Sequence, residues 1–142
     1  MKKISALGLD IGTKRIGVAA CDGLGLFASG LTTIERKSFT QDVEKFKQIV
    51  TEREVQILIV GMPYSLDKTI GKQAQQVQEY ALKLAEALNL PVKFMDESFT
   101  SYAAEELIKA QGRSPSRNKG MIDQKAAALI LQDWLDQLII NN

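Results

Sequence analysis

Three acidic residues lie where a purely structural role accounts poorly for a carboxylate. Asp10 ends an apolar run that begins at Ile4, and Glu97 follows a second apolar segment at 92–95. Asp123 lies at the start of the last helical pattern. An ionised carboxylate is costly to bury in apolar surroundings unless it is paired or binds a cation. If the first and fifth strands lie near each other, the three side chains meet, and their repulsion favours a cation between them.

Each acid also has a simpler explanation. Asp10 could accept hydrogen bonds from the turn at Gly12–Thr13, and Glu97 could be solvated beyond its strand. Asp123 could interact with the helix N-terminus, whose dipole favours a negative charge by about 0.3–1 kcal/mol. At about 100° per residue, however, Asp123 lies in the core-facing sector of its helix. That sector is formed by Ala127, Ile130 and Trp134. The helix terminus explains the position of Asp123 along the helix but not its direction.

The composition restricts the chemistry and the metal. The chain has no histidine and one cysteine, Cys21, which excludes Ser-His-Asp and Cys-His catalysis and histidine zinc sites. Cys21 is expected to be a small buried residue. Carboxylate oxygens are hard ligands, so the expected ion is Mg²⁺ or Mn²⁺. Divalent ions held by carboxylates can support phosphodiester hydrolysis without a histidine base.

Basic residues flank two of the acids. Lys14 and Arg15 follow the turn after Asp10, and a basic segment at 109–125 surrounds Asp123. We predict that phosphates are bound by Lys14, Arg15, Arg113, Arg117 and Lys119. The net charge of +1 argues neither for nor against a nucleic-acid partner, and a solvated charged loop is the alternative.

Hydrophobic periodicity predicts three strands, followed by helices that alternate with strands. The predicted strands span 4–10, 15–21, 26–34, 57–60 and 92–95. The predicted helices span 40–53, 71–88, 101–111 and 122–139. This order predicts an α/β fold with a mixed five-stranded sheet, in which an antiparallel three-strand meander precedes two parallel strands and helices cover both faces. No repeat or linker interrupts residues 1–142, so one domain is expected.

The chain has the composition of a soluble globular domain, with 45% hydrophobic and 25% charged residues. A single cysteine is typical of the reducing cytoplasm. The apolar run after Met1-Lys2-Lys3 breaks at Asp10, and no segment approaches the roughly 20 apolar residues of a membrane span. We therefore predict a cytoplasmic protein with no membrane partner.

Four motifs resemble the YqgF/RuvX family. Residues 7–19 (LGLDIGTKRIGVA) resemble its opening motif, and 61–63 (GMP) resemble its Gly-Leu-Pro motif. Residues 96–100 (DESFT) are similar to its Asp-Glu-Arg-x-x-Thr stretch, and 118–123 (NKGMID) to its closing block. The resemblance covers nearly the whole chain in the same order.

The resemblance implies an RNase H-like fold and catalytic, metal-binding acids at Asp10, Glu97 and Asp123. It implies a metal-dependent nuclease that processes the 5′ end of pre-16S rRNA, and the family has also been described as Holliday junction resolvases. The expected partner is structured RNA, or alternatively branched DNA. Two positions depart from the family pattern: Ser98 replaces an arginine and Lys68 replaces a glycine.

Other functions remain open from the sequence. A junction resolvase needs two active sites and hence a symmetric dimer, so both a monomer and a homodimer are considered. Residues 9–13 also resemble the phosphate-binding turn of actin-like ATPases and sugar kinases, although those proteins need two such domains. A catalytically inert RNA-binding domain on the same scaffold is a further alternative.

Overall fold

The computed structural model describes residues 3–64, 70–97 and 119–140, the last range beginning with the backbone of Lys119. In these residues the strands are β1 (Ala6–Ile11), β2 (Arg15–Cys21), β3 (Ala28–Glu35), β4 (Ile57–Met62) and β5 (Val92–Asp96). The helices are α1 (Phe39–Arg53), α2 (Lys72–Leu88) and α3 (Lys119–Ile140). The helix predicted at 101–111 lies outside the described residues. The other predicted elements are present, with their ends moved by a few residues.

The five strands form one mixed sheet in the order β3-β2-β1-β4-β5. β2 pairs antiparallel with both β1 and β3, whereas β4 pairs parallel with β1 and with β5. The predicted arrangement of antiparallel and parallel strands is therefore confirmed. β4 lies between β1 and β5, so the two strands that end near Asp10 and Glu97 are not direct neighbours.

Alternation along β1 directs Asp10 to one face of the sheet. Leu7, Leu9 and Ile11 point to the face that α1 and α2 cover, where they join the larger hydrophobic core. Ala6 belongs to the second core, which α3 covers. Because successive side chains of a strand point to opposite faces, Asp10 shares the α3 face with Ala6. Helices thus cover both faces, as predicted.

The α3 helix packs very close to the sheet because the contact positions carry small side chains. A Cβ atom added at Gly8 would collide with the Ala127 carbonyl oxygen, and one at Gly17 would collide with the Asp123 backbone. Ala126 and Ala127 are fully buried at this contact. Gly17 also pairs with Asp10 in the sheet. The first turns of α3 therefore lie directly over β2, beside Asp10.

Cys21 is buried, and its Sγ donates a long hydrogen bond of 3.8 Å to the Ile4 carbonyl, as expected for a small core residue. None of the helices in the described part of the chain is long and apolar enough to cross a membrane.

Candidate active site

Asp10 and Glu97 meet at the open edge of the sheet, where β1, β4 and β5 end. Their carboxyl groups lie close enough to share a hydrogen bond, which affects the pKa of both acids. The strand between them, β4, carries Gly61 at the level of this contact, and a Cβ atom there would lie 2.8 Å from Glu97 Oε2. The absent side chain of Gly61 thus lets two acids from non-adjacent strands touch.

The backbone fixes Glu97 just beyond the end of β5. Its N–H donates to the Met62 carbonyl at 3.1 Å, which continues the parallel pairing of β4 and β5 by one step. Its Oε2 atom is buried and has no hydrogen-bond partner among the described residues. A buried carboxylate oxygen without a partner is unusual, because native structures satisfy nearly all such atoms. The position is therefore suited to a ligand that none of the described residues supplies.

The contact between the two acids changes their protonation. Burial, followed by the charge of Asp10 and the hydrogen bond to it, raises the pKa of Glu97 to about 9. The pKa of Asp10 is also raised, chiefly by burial and further by the charge of Asp123, whereas the hydrogen bond from Glu97 opposes this rise. Of the two acids, Glu97 has the more strongly raised pKa and is therefore the one that more readily keeps a proton in their shared contact.

Asp123 faces the same region but is bonded elsewhere. Its Oδ2 atom accepts a hydrogen bond from Arg15 Nε at 2.9 Å, and the ion pair is partly buried, with side-chain exposures of 20% for Asp123 and 32% for Arg15. Alternation along β2 places Arg15 on the α3 face, two residues from Gly17. Asp123 thus lies between Asp10, whose pKa it raises, and Arg15, which neutralises it.

The arrangement fits a hard divalent cation in part. Asp10 and Glu97 supply carboxylate oxygens in a pocket of about 370 Å³, and one of these oxygens is buried with no partner from the residues that the structure describes. Within residues 3–64, 70–97 and 119–140, no three side chains of histidine, cysteine or acid form a ready metal-ligand group. Asp123 completes a set of three only if its carboxylate turns from Arg15 toward Asp10. That these acids are metal ligands and catalytic residues therefore stays a prediction.

A model of the RuvX family, described as Holliday junction resolvase, matches residues 4–137. The chain belongs to the RuvX family. The match with "Putative pre-16S rRNA nuclease" of Gloeothece citriformis is 62% identical and covers 96% of this chain and 90% of that protein. The protein of the same name from Trichormus variabilis is 60% identical, over 95% of this chain and 89% of its own length.

Solved structures show the fold of this RuvX family member. The RuvC of T. thermophilus in complex with Holliday junction substrate has a TM-score of 0.60 and 14% identity, and the match covers 96% of both chains. The fowlpox virus resolvase in complex with its substrate Holliday junction DNA has a TM-score of 0.56 and 11% identity, over 96% of this chain and 99% of that one. At these identities the similarity establishes the RNase H-like fold alone.

Only some of the predicted phosphate-binding residues lie in the described part of the chain. Lys14 and Arg15 line one depression of about 360 Å³ beside the β1–β2 turn, and Arg15 is paired with Asp123. Arg113 and Arg117 lie outside the described residues, as do Ser98 and Lys68, the two departures from the RuvX family pattern. The backbone of Lys119 begins α3, and its side chain is not described. Phosphate binding by these residues stays a prediction.

Several residues of the acidic pocket were not singled out from the sequence. Gln73 of α2 and Tyr64, which follows β4, line it together with Asp10 and Glu97. In the sequence the Gly-Met-Pro motif at 61–63 carries only a family resemblance, yet in the structure Gly61 is the residue that lets the two acids meet. The sequence signal was a glycine at the end of a continuous apolar strand, which often marks a close approach of another group.

Replacing Glu97 by Gln is expected to abolish a pH dependence of stability in the presence of chelator. Because the folded-state pKa of Glu97 is raised, the folded state binds its proton more tightly than the unfolded state. The protonated Glu97 side chain therefore stabilises the folded protein fully below pH 4.5. This stabilisation is lost as the pH rises toward 9, by at most about 1.4 kcal/mol per pH unit. Glu97→Gln should melt above the wild type at pH 8, and the difference should vanish near pH 4.5.

Exposed Glu86→Gln is the control. Parallel melting curves for wild type and Glu97→Gln across this range would contradict the assignment.

Proposed function

We propose that this RuvX family member is a metal-dependent nuclease that processes the 5′ end of pre-16S rRNA in the cytoplasm. One observation carries the proposal: Asp10 and Glu97 meet at an open sheet edge, where a buried Glu97 oxygen has no hydrogen-bond partner among the described residues. The names of the relatives at 62% and 60% identity support the choice of RNA. One domain spanning residues 1–142 accounts for the activity.

In this proposal Asp10, Glu97 and Asp123 hold Mg²⁺ or Mn²⁺. When bound, such ions supply an activated water and stabilise the leaving oxygen of a phosphodiester. The chain's own part is to fix Asp10 and Glu97 across Gly61 and to bring Asp123 over Gly17. Glu97 gives up its proton when it becomes a ligand. Lys14 and Arg15 contribute positive charge for the phosphates of the substrate.

In this proposal Arg15 competes with the cation for Asp123, because the guanidinium neutralises the carboxylate and binds its Oδ2 atom. We expect Arg15→Gln to bind Mn²⁺ several-fold more tightly in a calorimetric titration without nucleic acid. The control is Lys14→Gln, which removes a neighbouring charge without freeing Asp123 and should have a smaller effect. Weaker Mn²⁺ binding by Arg15→Gln would mean that Arg15 holds Asp123 in its ligating position, which contradicts the competition.

A second candidate, resolution of four-way DNA junctions, is favoured by the description of the RuvX family. It requires a homodimer with two active sites, whereas RNA processing is open to a monomer. The deciding experiment offers a pre-16S rRNA fragment and a four-way junction to the wild type with Mg²⁺, with Mn²⁺ and with chelator. We expect metal-dependent cleavage of the RNA and little cleavage of the junction. Symmetric cleavage of the junction by a dimer would favour resolution, and cleavage of neither substrate would contradict both nuclease functions.

A further inference from the structure

A second concave surface adjoins the acidic pocket on the other side of the β1–β2 turn. This surface, here called the turn groove, has a volume of about 490 Å³ and lies between the turn, the start of α1 and the exposed side of α2. It shares three lining residues with the acidic pocket: Ile11, Gly12 and Gln73. A substrate strand that extends from Asp10 across Gly12 would therefore enter the turn groove directly.

The wall of the turn groove is a fixed aromatic and cationic stack. The Arg36 guanidinium lies 4.3 Å from the centroid of the Tyr80 ring, and Phe39 meets the same ring edge-on at 5.8 Å. Arg36 Nη1 also donates to the Gly12 carbonyl at 2.7 Å, and the Tyr80 hydroxyl donates to Asp42 at 2.9 Å. These bonds hold Arg36 and Tyr80 in place. Phe39, which is 38% exposed, presents aromatic surface to solvent.

The rim of the turn groove carries positive charge. Lys37 and Lys83 are exposed there, and the adjoining depression adds Lys14. The acids nearby are exposed Glu79, exposed Glu35, which lies 3.9 Å from Lys37, and buried Asp42. Asp42 already accepts hydrogen bonds from the Tyr80 hydroxyl and the Lys37 backbone. Cations at the rim and aromatic rings within are the combination that binds single-stranded nucleic acid, through its phosphates and its bases respectively.

We propose that the turn groove binds the single-stranded part of the substrate next to the scissile bond, with a base stacked at Phe39 and phosphates bound by Lys37 and Lys83. The inference rests on the proposed nuclease function, because the groove matters through its continuity with Asp10. A duplex does not fit the proposal, since its bases are already stacked and cannot reach an aromatic side chain inside a concavity.

The test measures binding without cleavage, by fluorescence anisotropy in chelator, with Asp10→Asn as the background. The probes are a fluorescein-labelled 12-nucleotide single-stranded RNA and an RNA duplex of the same length. Phe39→Leu keeps an apolar side chain and removes the ring, so we expect single-strand affinity to fall about tenfold with an unchanged salt dependence. The double variant Lys37→Ala/Lys83→Ala should make the negative slope of log K against log salt shallower, by about 0.7 for each lysine.

The matched control is Lys45→Ala, which removes one exposed lysine from α1 outside the turn groove and should leave binding unchanged. Duplex binding should not respond to Phe39→Leu. Single-strand affinity that is the same with and without Phe39 and the two lysines would overturn the proposal, as would an equal loss for the duplex or for Lys45→Ala. Thermal melting of each variant checks the fold.

Failure of this inference is distinguishable from failure of the nuclease proposal. If metal-dependent cleavage by the wild type is established but the groove variants bind like the background, the turn groove is excluded and the nuclease function stands. If the wild type cleaves nothing, the nuclease proposal fails, and the anisotropy result in chelator still reports whether the groove binds a single strand.

Discussion

Asp10→Asn is expected to lower metal-dependent cleavage of a pre-16S rRNA fragment on the order of 10²–10³-fold or more, the loss seen when one preorganised catalytic contact is removed. Asparagine has the size of aspartate but lacks the charge that attracts a cation. The fold should persist, because burial raises the pKa of Asp10 and thus disfavours its charged form. A neutral asparagine is therefore tolerated at this partly buried position. Single-turnover rates with Mg²⁺ and with Mn²⁺, alongside thermal melting, measure both effects.

The control for Asp10→Asn is Asp133→Asn, which removes a carboxylate on the exposed side of α3 and should retain full activity. Activity of Asp10→Asn within a few-fold of the wild type would remove Asp10 from the mechanism. That outcome, together with intact RNA binding, would favour the alternative of a catalytically inert RNA-binding domain.

Gly17→Ala is expected to destabilise the protein by about 3 kcal/mol, at the upper end of the usual cost of overpacking. The added Cβ atom would collide with the backbone of Asp123, and backbone cannot rotate away as a side-chain end can. The first turn of α3 must then move off the sheet and carry Asp123 with it. We expect a melting temperature lower by about 10 °C and a marked loss of cleavage below that temperature.

Gly23→Ala is the matched control for this substitution, because a Cβ atom there would meet only the flexible Lys3 side chain at 3.4 Å. It should melt close to the wild type. Equal stability of Gly17→Ala and Gly23→Ala would mean that α3 does not lie against β2 as closely as described.

The fold could be predicted because its signals are local. Alternation in 15–21 and the continuous apolar run at 57–60 both indicate strands, and β2 and β4 prove to be interior strands of the sheet with nearly every residue buried. The start of α3 was predicted three residues late, because Gly120 lies in its first turn and glycine lowers helix propensity. Here tertiary packing overrides propensity: Gly120 and Gln124 contact Thr33 of β3.

The residue types of the site and the direction of Asp123 were predictable from the sequence, but the way the strands bring the acids together was not. The direction of Asp123 toward the sheet followed from its helical sector, and the structure places it over Gly17. The insertion of β4 between β1 and β5 is a matter of strand order, which no local pattern in Asp10 or Glu97 reveals. The ion pair of Asp123 with Arg15 joins residues 108 positions apart and was likewise beyond sequence reasoning.

The most direct measurement is the anomalous difference density of Mn²⁺ in crystals of the wild-type protein. We expect a peak bonded to carboxylate oxygens of Asp10 and Glu97, including the Glu97 oxygen that has no hydrogen-bond partner in the described part of the chain, with Asp123 turned away from Arg15 toward the ion. Saturating Mn²⁺ with no peak at these oxygens, or with ions only at other acids, would contradict it.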